Sequence, residues 1–139
     1  MKYFLCTIIG LLTGLVCISL FEYLSIYLFP LPSGLDMQDM NSIAENMDSI
    51  PLVNFILVLV SYALASFIAG FVSVKIRTPK PQLPVITIAI LLTAFGFVNF
   101  LTIPHPLWMI IAGSVTFIPM VWLGGKAGLN RRDYQVYGF

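Results

Sequence analysis

The basic residues of this chain all fall on one side of its apolar segments. When the chain is drawn as four membrane spans, its seven Lys and Arg residues lie before the first span, between the second and third, or after the fourth. They are Lys2, Lys75, Arg77, Lys80, Lys126, Arg131 and Arg132. The long loop on the opposite side carries four of the six acids, namely Asp36, Asp39, Glu45 and Asp48. The positive-inside rule therefore predicts cytoplasmic N- and C-termini and an acidic loop outside.

The low content of charged residues excludes an ordinary soluble domain. Charged side chains make up 9% of the 139 residues and hydrophobic ones 59%, whereas a soluble domain carries about 25% charged residues. The bilayer must therefore act as the solvent for most of the surface. We expect a multi-pass protein of the bacterial inner (plasma) membrane, with the lipid bilayer as its partner. The basic residues form no run dense enough to predict nucleic-acid binding.

Four apolar segments are long enough to cross a bilayer, which takes about 20 residues of helix. The predicted spans cover residues 3–29, 51–74, 84–103 and 107–125, with an outer loop over 30–50 and a cytoplasmic tail over 126–139. The first segment reaches Phe29 without an A-x-A cleavage site, so we expect it to remain as a span. The fold class is therefore an all-α membrane protein with a single domain, an antiparallel four-transmembrane-helix bundle.

The outer loop has the pattern of a short amphipathic surface helix. Ser42 and Glu45 have the spacing of a capping box, and Met40, Ile43 and Met47 recur at helical intervals. We expect the apolar face of this helix to lie on the membrane and its acids to face water. Met37, Met40 and Met47 could instead offer thioether ligands to copper, but an apolar stripe is the commoner role of such a pattern, so no metal is expected.

Small residues four positions apart predict where the helices pack. Gly10 and Gly14 form a GxxxG motif, and the second span offers two more pairs at this spacing, Ala65 with Ala69 and Ser66 with Gly70. Such pairs let helix backbones approach closely in lipid. The first span is expected to pack on the second within the chain, and a homodimer seam is the alternative. Trp108 and Trp122, near the two ends of the fourth span, are expected to be interface anchors.

Four polar residues from separate parts of the chain are predicted to meet in the outer leaflet. Glu22 lies late in the first span, Asn54 early in the second and Asn99 late in the third, while His105 lies in the turn that follows. A carboxylate inside the membrane costs several kcal/mol when isolated, so it is a functional candidate by default. The alternative is structural: Glu22 reaches the interface, the two Asn residues hold helix ends, and the exposed His is solvated.

No pattern in the chain predicts an enzyme. The chain has a single His, and it lacks an HExxH motif, a P-loop, a GxGxxG loop and paired carboxylates within a span. No catalytic residue and no cofactor are therefore assigned.

Several fragments resemble a family of small bacterial four-span inner-membrane proteins of uncharacterised activity. They are the acid Glu22, residues 30–36 with the sequence PLPSGLD, residues 103–108 with the sequence IPHPLW, and residues 123–125 with the sequence LGG. The resemblance implies the four-span fold without implying an activity. A weaker similarity links the chain to small multidrug resistance transporters, which also have four spans and an acid in the first. Those transporters often insert in both orientations, whereas the charge bias here favours one.

Two functions remain open. The first is a small integral membrane protein of accessory or structural type, whose polar cluster organises the fold or a site for another membrane protein. The alternative is a proton- or cation-coupled small transporter or channel subunit that uses Glu22, which would require an oligomer or a wet cavity. The two halves of the chain share neither the acid nor the long loop, so no inverted repeat supports transport.

Overall fold

The computed structural model describes residues 2–31, 39–75 and 80–129. All regular structure in these ranges is helical, as predicted. The α-helices are α1 (Lys2–Leu28), α2 (Met40–Glu45), α3 (Leu52–Ser73), α4 (Gln82–Thr102) and α5 (Leu107–Gly128), and a 3₁₀ turn covers Met47–Ser49. Within the described ranges, four helices (α1, α3, α4 and α5) are long and apolar enough to cross a membrane.

Prolines and short turns set the ends of these helices. Pro30 follows α1, and Pro51 and Pro106 directly precede α3 and α5, which suits a residue that cannot donate a backbone hydrogen bond. The helix α5 continues to Gly128, past the predicted end of the fourth span at residue 125. Pro119 lies inside α5 at an exposed position. Because proline has no N–H, the carbonyl one turn earlier in the helix is left unpaired, and that carbonyl does not face the core.

The helices form a bundle in which α3 is the central element. Helix α3 packs most extensively on α5 and α1, α4 packs on α5, and α1 packs less closely on α4. Around the bundle the order is therefore α1, α3, α5, α4. The core runs through it, and its largest fully buried side chains include Val85, Ile88, Leu92, Met109, Phe117 and Val121.

The seam between α1 and α3 depends on the GxxxG motif. A Cβ on Gly10 would lie 2.9 Å from the Ala69 carbonyl oxygen and 2.8 Å from the Ser73 Cβ, and a Cβ on Gly14 would lie 2.9 Å from the Ala69 Cβ. Only a hydrogen fits at either position. Because both glycines face α3, their placement favours packing within the chain over a homodimer seam.

The seam between α3 and α5 is closer still, and no packing contact was predicted for its α5 side. A Cβ on Gly70 would lie within 3.0 Å of the Gly125 backbone nitrogen, and a Cβ on Gly124 within 3.0 Å of the Phe67 Cα. The two backbones therefore touch. Of the predicted small residues, Gly70 serves this seam, whereas Ala65 and Ala69 lie at the one with α1. Ser66 is fully buried.

The loop helix α2 has a different cap from the one predicted. Asp39, not Ser42, is the N-cap residue, and its side chain accepts a hydrogen bond of 2.9 Å from the Asn41 backbone nitrogen. Ser42 lies inside the helix, so the predicted capping box with Glu45 is wrong. The Asp39 side chain, three residues earlier, instead pairs the Asn41 amide, one of the unpaired amides of the first turn. The helix then ends before Met47 in the 3₁₀ turn.

The substitution Gly124→Ala tests the backbone contact between α3 and α5. A methyl group there meets the Phe67 backbone, so the helices must separate, and overpacking of this kind costs about 1–3 kcal/mol. The sign of the change in the free energy of unfolding is informative, because Gly→Ala at an open helix position stabilises the protein by about 0.5–1 kcal/mol. We expect a lower thermal midpoint in detergent. Ala127→Leu, which adds more volume at an exposed position of the same helix, should change the thermal midpoint little. Equal effects of the two substitutions would contradict the close contact between α3 and α5.

Candidate functional site

The four predicted polar residues line one cavity. It lies at the end of the bundle where α1 and α4 end and α3 and α5 begin, which we call the loop end, and its volume is about 180 Å³. Glu22, Asn54, Asn99 and His105 all contribute to its wall. One water molecule needs about 10–15 Å³ of cavity volume, so the cavity has room for a small ligand group. The structure thus brings together the residues that the sequence placed at one depth; their function stays a prediction.

Glu22 belongs to a chain of hydrogen bonds that crosses three helices. The Asn99 side-chain nitrogen on α4 donates to the Tyr62 hydroxyl on α3 over 3.1 Å. The Tyr62 hydroxyl in turn interacts with the Glu22 carboxylate on α1, and the hydroxyl is the group of this pair that can donate a proton. The carboxylate thereby has a polar neighbour in a bundle that offers few others.

Tyr62 is the residue of this site that the sequence analysis did not single out. It is 3% exposed and lies ten residues after the start of α3 at Leu52. Side chains lean toward the start of their helix, so its hydroxyl lies closer to the loop end than its Cα does. Its ring packs against Phe100 and Phe117 at centroid distances of 6.0 and 5.3 Å. A Tyr deep in an apolar span was the available signal, since a buried hydroxyl needs a partner.

Asn54 holds the end of α1 and leaves one acceptor unused. Its side-chain nitrogen donates to the Phe29 carbonyl oxygen over 3.0 Å. Helix ends leave carbonyls unpaired, and Pro30 has no N–H, so this bond satisfies one of them. The bond also fixes the amide orientation. The Asn54 side-chain oxygen is buried without a hydrogen-bond partner among the described residues, although such an atom costs about 1–3 kcal/mol when unsatisfied.

His105 offers a second acceptor to the cavity. Its Nδ1 lies 2.6 Å from the Ile103 carbonyl oxygen, and since a carbonyl only accepts, Nδ1 carries the proton. In the neutral ring Nε2 is then an acceptor. Burial lowers the pKa of His105 below its usual range, partly offset by the hydrogen bond to Ile103. The ring also packs edge-on against Phe100 at 5.2 Å.

The loop segment forms part of the cavity wall. Ile43 on α2 is 4% exposed, and both Ile43 and Met47 line the cavity, while Glu45 and Asp48 are exposed. Met37 and the side chain of Met40 lie outside the described residues. The described residues contain no group of three or more His, Cys, Asp or Glu side chains that could hold a metal ion.

A second space meets the cavity at the hydrogen-bond chain. This α1–α4 cleft has a volume of about 160 Å³ and shares Glu22, Tyr62 and Asn99 with the cavity. The rest of its lining is apolar and consists of Leu15, Ile18, Leu92, Phe95, Gly96 and Phe117. Leu15 on α1 and Phe95 on α4 are 36% and 49% exposed, so the cleft opens to the side of the bundle.

The two predicted anchors lie at opposite ends of α5. Trp108 is 43% exposed and packs edge-on against Phe55 at 6.2 Å. Trp122 is half-buried and packs against the core. Near the same end as Trp122, the Lys75 Nζ donates to the Gly128 carbonyl oxygen over 2.9 Å and lies 4.2 Å from the Phe71 ring centroid. A cation at the last carbonyls of α5 complements the helix dipole.

Comparison of the chain with protein-family models, curated proteins and solved structures finds no match. The resemblance to small bacterial four-span inner-membrane proteins therefore stays a prediction, and the site is interpreted from its geometry.

The burial of His105 predicts a pH-dependent stability. Because its pKa is lower in the folded than in the unfolded protein, where it is about 6.5, the unfolded state binds more protons as the pH falls. The stabilisation from the neutral His105 ring is present above the pKa of the unfolded state. It is lost as the pH falls through the lower pKa of the folded state. We expect wild type to lose more stability between pH 7.5 and 5 than His105→Gln, measured by denaturant unfolding in detergent. Parallel pH profiles would show that His105 is not buried as described.

Proposed function

We propose that this chain is an integral protein of the bacterial inner membrane, with both termini in the cytoplasm and the loop end outside. Four helices of suitable length and apolarity support the insertion. The orientation follows from charge, since the described ends opposite the loop end carry Lys2, Lys75, Lys80 and Lys126. The acids Asp39, Glu45 and Asp48 lie at the loop end. In this orientation α2 lies on the outer surface with its acids toward water.

We further propose an accessory role in which the loop-end cavity binds a small ligand or a group of another membrane protein. The observation that carries this proposal is the buried, unpaired side-chain oxygen of Asn54, a residue of the wall of the cavity that Glu22 also lines. Two buried side-chain atoms lack a partner among the described residues, the Asn54 oxygen and the Ser66 hydroxyl, and only that of Asn54 belongs to a residue of the cavity wall. Leaving it unpaired costs stability, so a ligand that paired it would be favoured. A second copy of the chain or another membrane protein would contact the exposed apolar face of α1, which includes Leu12, Val16 and Leu20.

Transport through Glu22 is the second candidate. The observation in its favour is that Glu22 faces both the cavity and the cleft, as a carboxylate that exchanges a ligand would. Against it, the bundle beyond the cleft is filled by Val85, Ile88 and Val121, each fully buried. This conformation therefore offers a site reached from the loop end and from the side, which suits binding better than passage. Uptake into vesicles that depends on Glu22 would favour transport.

The proposed orientation and access are tested by cysteine labelling in intact bacterial cells. In a chain with Cys6→Ala and Cys17→Ala, single cysteines are placed at Asp48, Met47 and Lys75. A membrane-impermeant maleimide should label Asp48→Cys fully and Met47→Cys, at the half-buried cavity wall, more slowly. Lys75→Cys, which is exposed at the opposite end, should react only after permeabilisation.

Two results would contradict the proposal. Labelling of the Lys75→Cys variant from outside, with Asp48→Cys protected until permeabilisation, would reverse the orientation. Labelling of both variants in intact cells would show insertion in both orientations, which the charge distribution argues against.

A further inference from the structure

The cavity wall presents hydrogen-bond acceptors that lack a donor. The Asn54 side-chain oxygen has no partner among the described residues, and Asn54 is 7% exposed. The Nε2 of neutral His105 is an acceptor because Nδ1 donates to Ile103. The Glu22 carboxylate interacts with Tyr62 and has further lone pairs. A ligand that fits this wall must therefore supply N–H or O–H donors.

The charge of the cavity selects a cation among such donors. Glu22 is an acid, and no Lys or Arg lines the cavity among the described residues. A metal ion fits poorly, because the described residues lack a group of three or more charged or imidazole ligands. A primary ammonium group fits well, since it carries one positive charge and three N–H donors. A quaternary ammonium carries the charge without any N–H and would leave the Asn54 oxygen unpaired.

The cleft explains what the ammonium group would be attached to. Glu22, Tyr62 and Asn99 form the boundary between the polar cavity and the apolar cleft. Beyond that boundary the cleft is lined by side chains such as Leu15, Ile18 and Phe95 and opens toward the lipid side of α1 and α4. A ligand entering from the bilayer would place its apolar part there, with its polar end at Glu22.

We propose that the cavity and the cleft together bind a primary amine with an apolar chain, with the ammonium group at Glu22 and Asn54 and the chain in the α1–α4 cleft. This inference rests on the proposed binding role and names the ligand class. The amine is a free amphiphile dissolved in the membrane, not an aminophospholipid, because no described cationic side chain of the cavity could accept the adjoining phosphate. Burial of the chain favours binding in proportion to the apolar area removed from water.

The experiment uses the full chain in nanodiscs of phosphatidylcholine and phosphatidylglycerol, which contain no primary amine. Dodecylamine is titrated at pH 7.5, and the thermal midpoint of unfolding gives its affinity. We expect a saturable rise for wild type. Glu22→Gln and Asn54→Leu should each weaken the affinity about tenfold or more, as expected when a hydrogen bond to a charged group is lost. Glu45→Gln, which removes an exposed acid outside the cavity, is the matched control and should bind like wild type.

The chain length and the cleft are tested separately from the charge. Butylamine has the same ammonium group and should bind far more weakly than dodecylamine. Ile18→Phe narrows the cleft, so it should lower the affinity for dodecylamine while leaving that for butylamine unchanged. These two comparisons keep the proposal testable if Glu22→Gln does not fold.

Several outcomes would overturn the proposal. Equal binding of dodecylamine and dodecyltrimethylammonium would show that N–H donors are not recognised. Unchanged dodecylamine affinity in both Glu22→Gln and Asn54→Leu would place the ligand elsewhere. Stabilisation by phosphatidylethanolamine without any by dodecylamine would assign the cavity to a lipid headgroup. None of these results bears on the cysteine labelling, so a wrong ligand class and a wrong orientation are distinguishable.

Discussion

The hydrogen-bond chain from Asn99 through Tyr62 to Glu22 is the interaction on which the arrangement of the bundle depends. It joins α4, α3 and α1 at one level. In an apolar bundle an unpaired carboxylate costs several kcal/mol, so the helices are held where these three groups meet. Helix packing in lipid offers little discrimination by hydrophobicity alone, because lipid tails are as apolar as the side chains. Polar contacts of this kind therefore fix the relative depth of the helices.

The small residues explain why the α1–α4 cleft forms beside this chain of hydrogen bonds. Gly10 and Gly14 bring α1 close to α3, and Gly70 and Gly124 bring α5 close to α3. Helix α1 packs less closely on α4 than on α3, so the space left in the bundle lies between α1 and α4. That space contains the carboxylate. The seams and the cleft are thus two consequences of the same packing, with α3 as the element that both α1 and α5 approach.

The fold followed from the sequence more closely than the site did. Apolar length predicted the helices, and prolines such as Pro30 and Pro106 mark their ends in the structure, since both act locally. Depth along the helices brought Glu22, Asn54, Asn99 and His105 to one level, and the structure places them around one cavity. Tyr62 was missed because only tertiary packing turns a mid-span aromatic into the partner of a carboxylate. The cap at Asp39 instead of Ser42 was missed because either side chain can accept a hydrogen bond from helix amides. The local pattern therefore does not determine at which of the two residues the helix begins.

A double-mutant cycle between Glu22 and Tyr62 tests the central claim most directly. The free energies of unfolding in detergent are measured for wild type, Glu22→Leu, Tyr62→Phe and the double variant. A direct hydrogen bond predicts a coupling of about 1 kcal/mol or more. The same cycle between Glu22→Leu and Ser73→Ala, at opposite ends of the bundle, should be additive. Additivity of Glu22 and Tyr62 within about 0.5 kcal/mol would contradict the account, because the hydrogen-bond chain would then not hold the helices together.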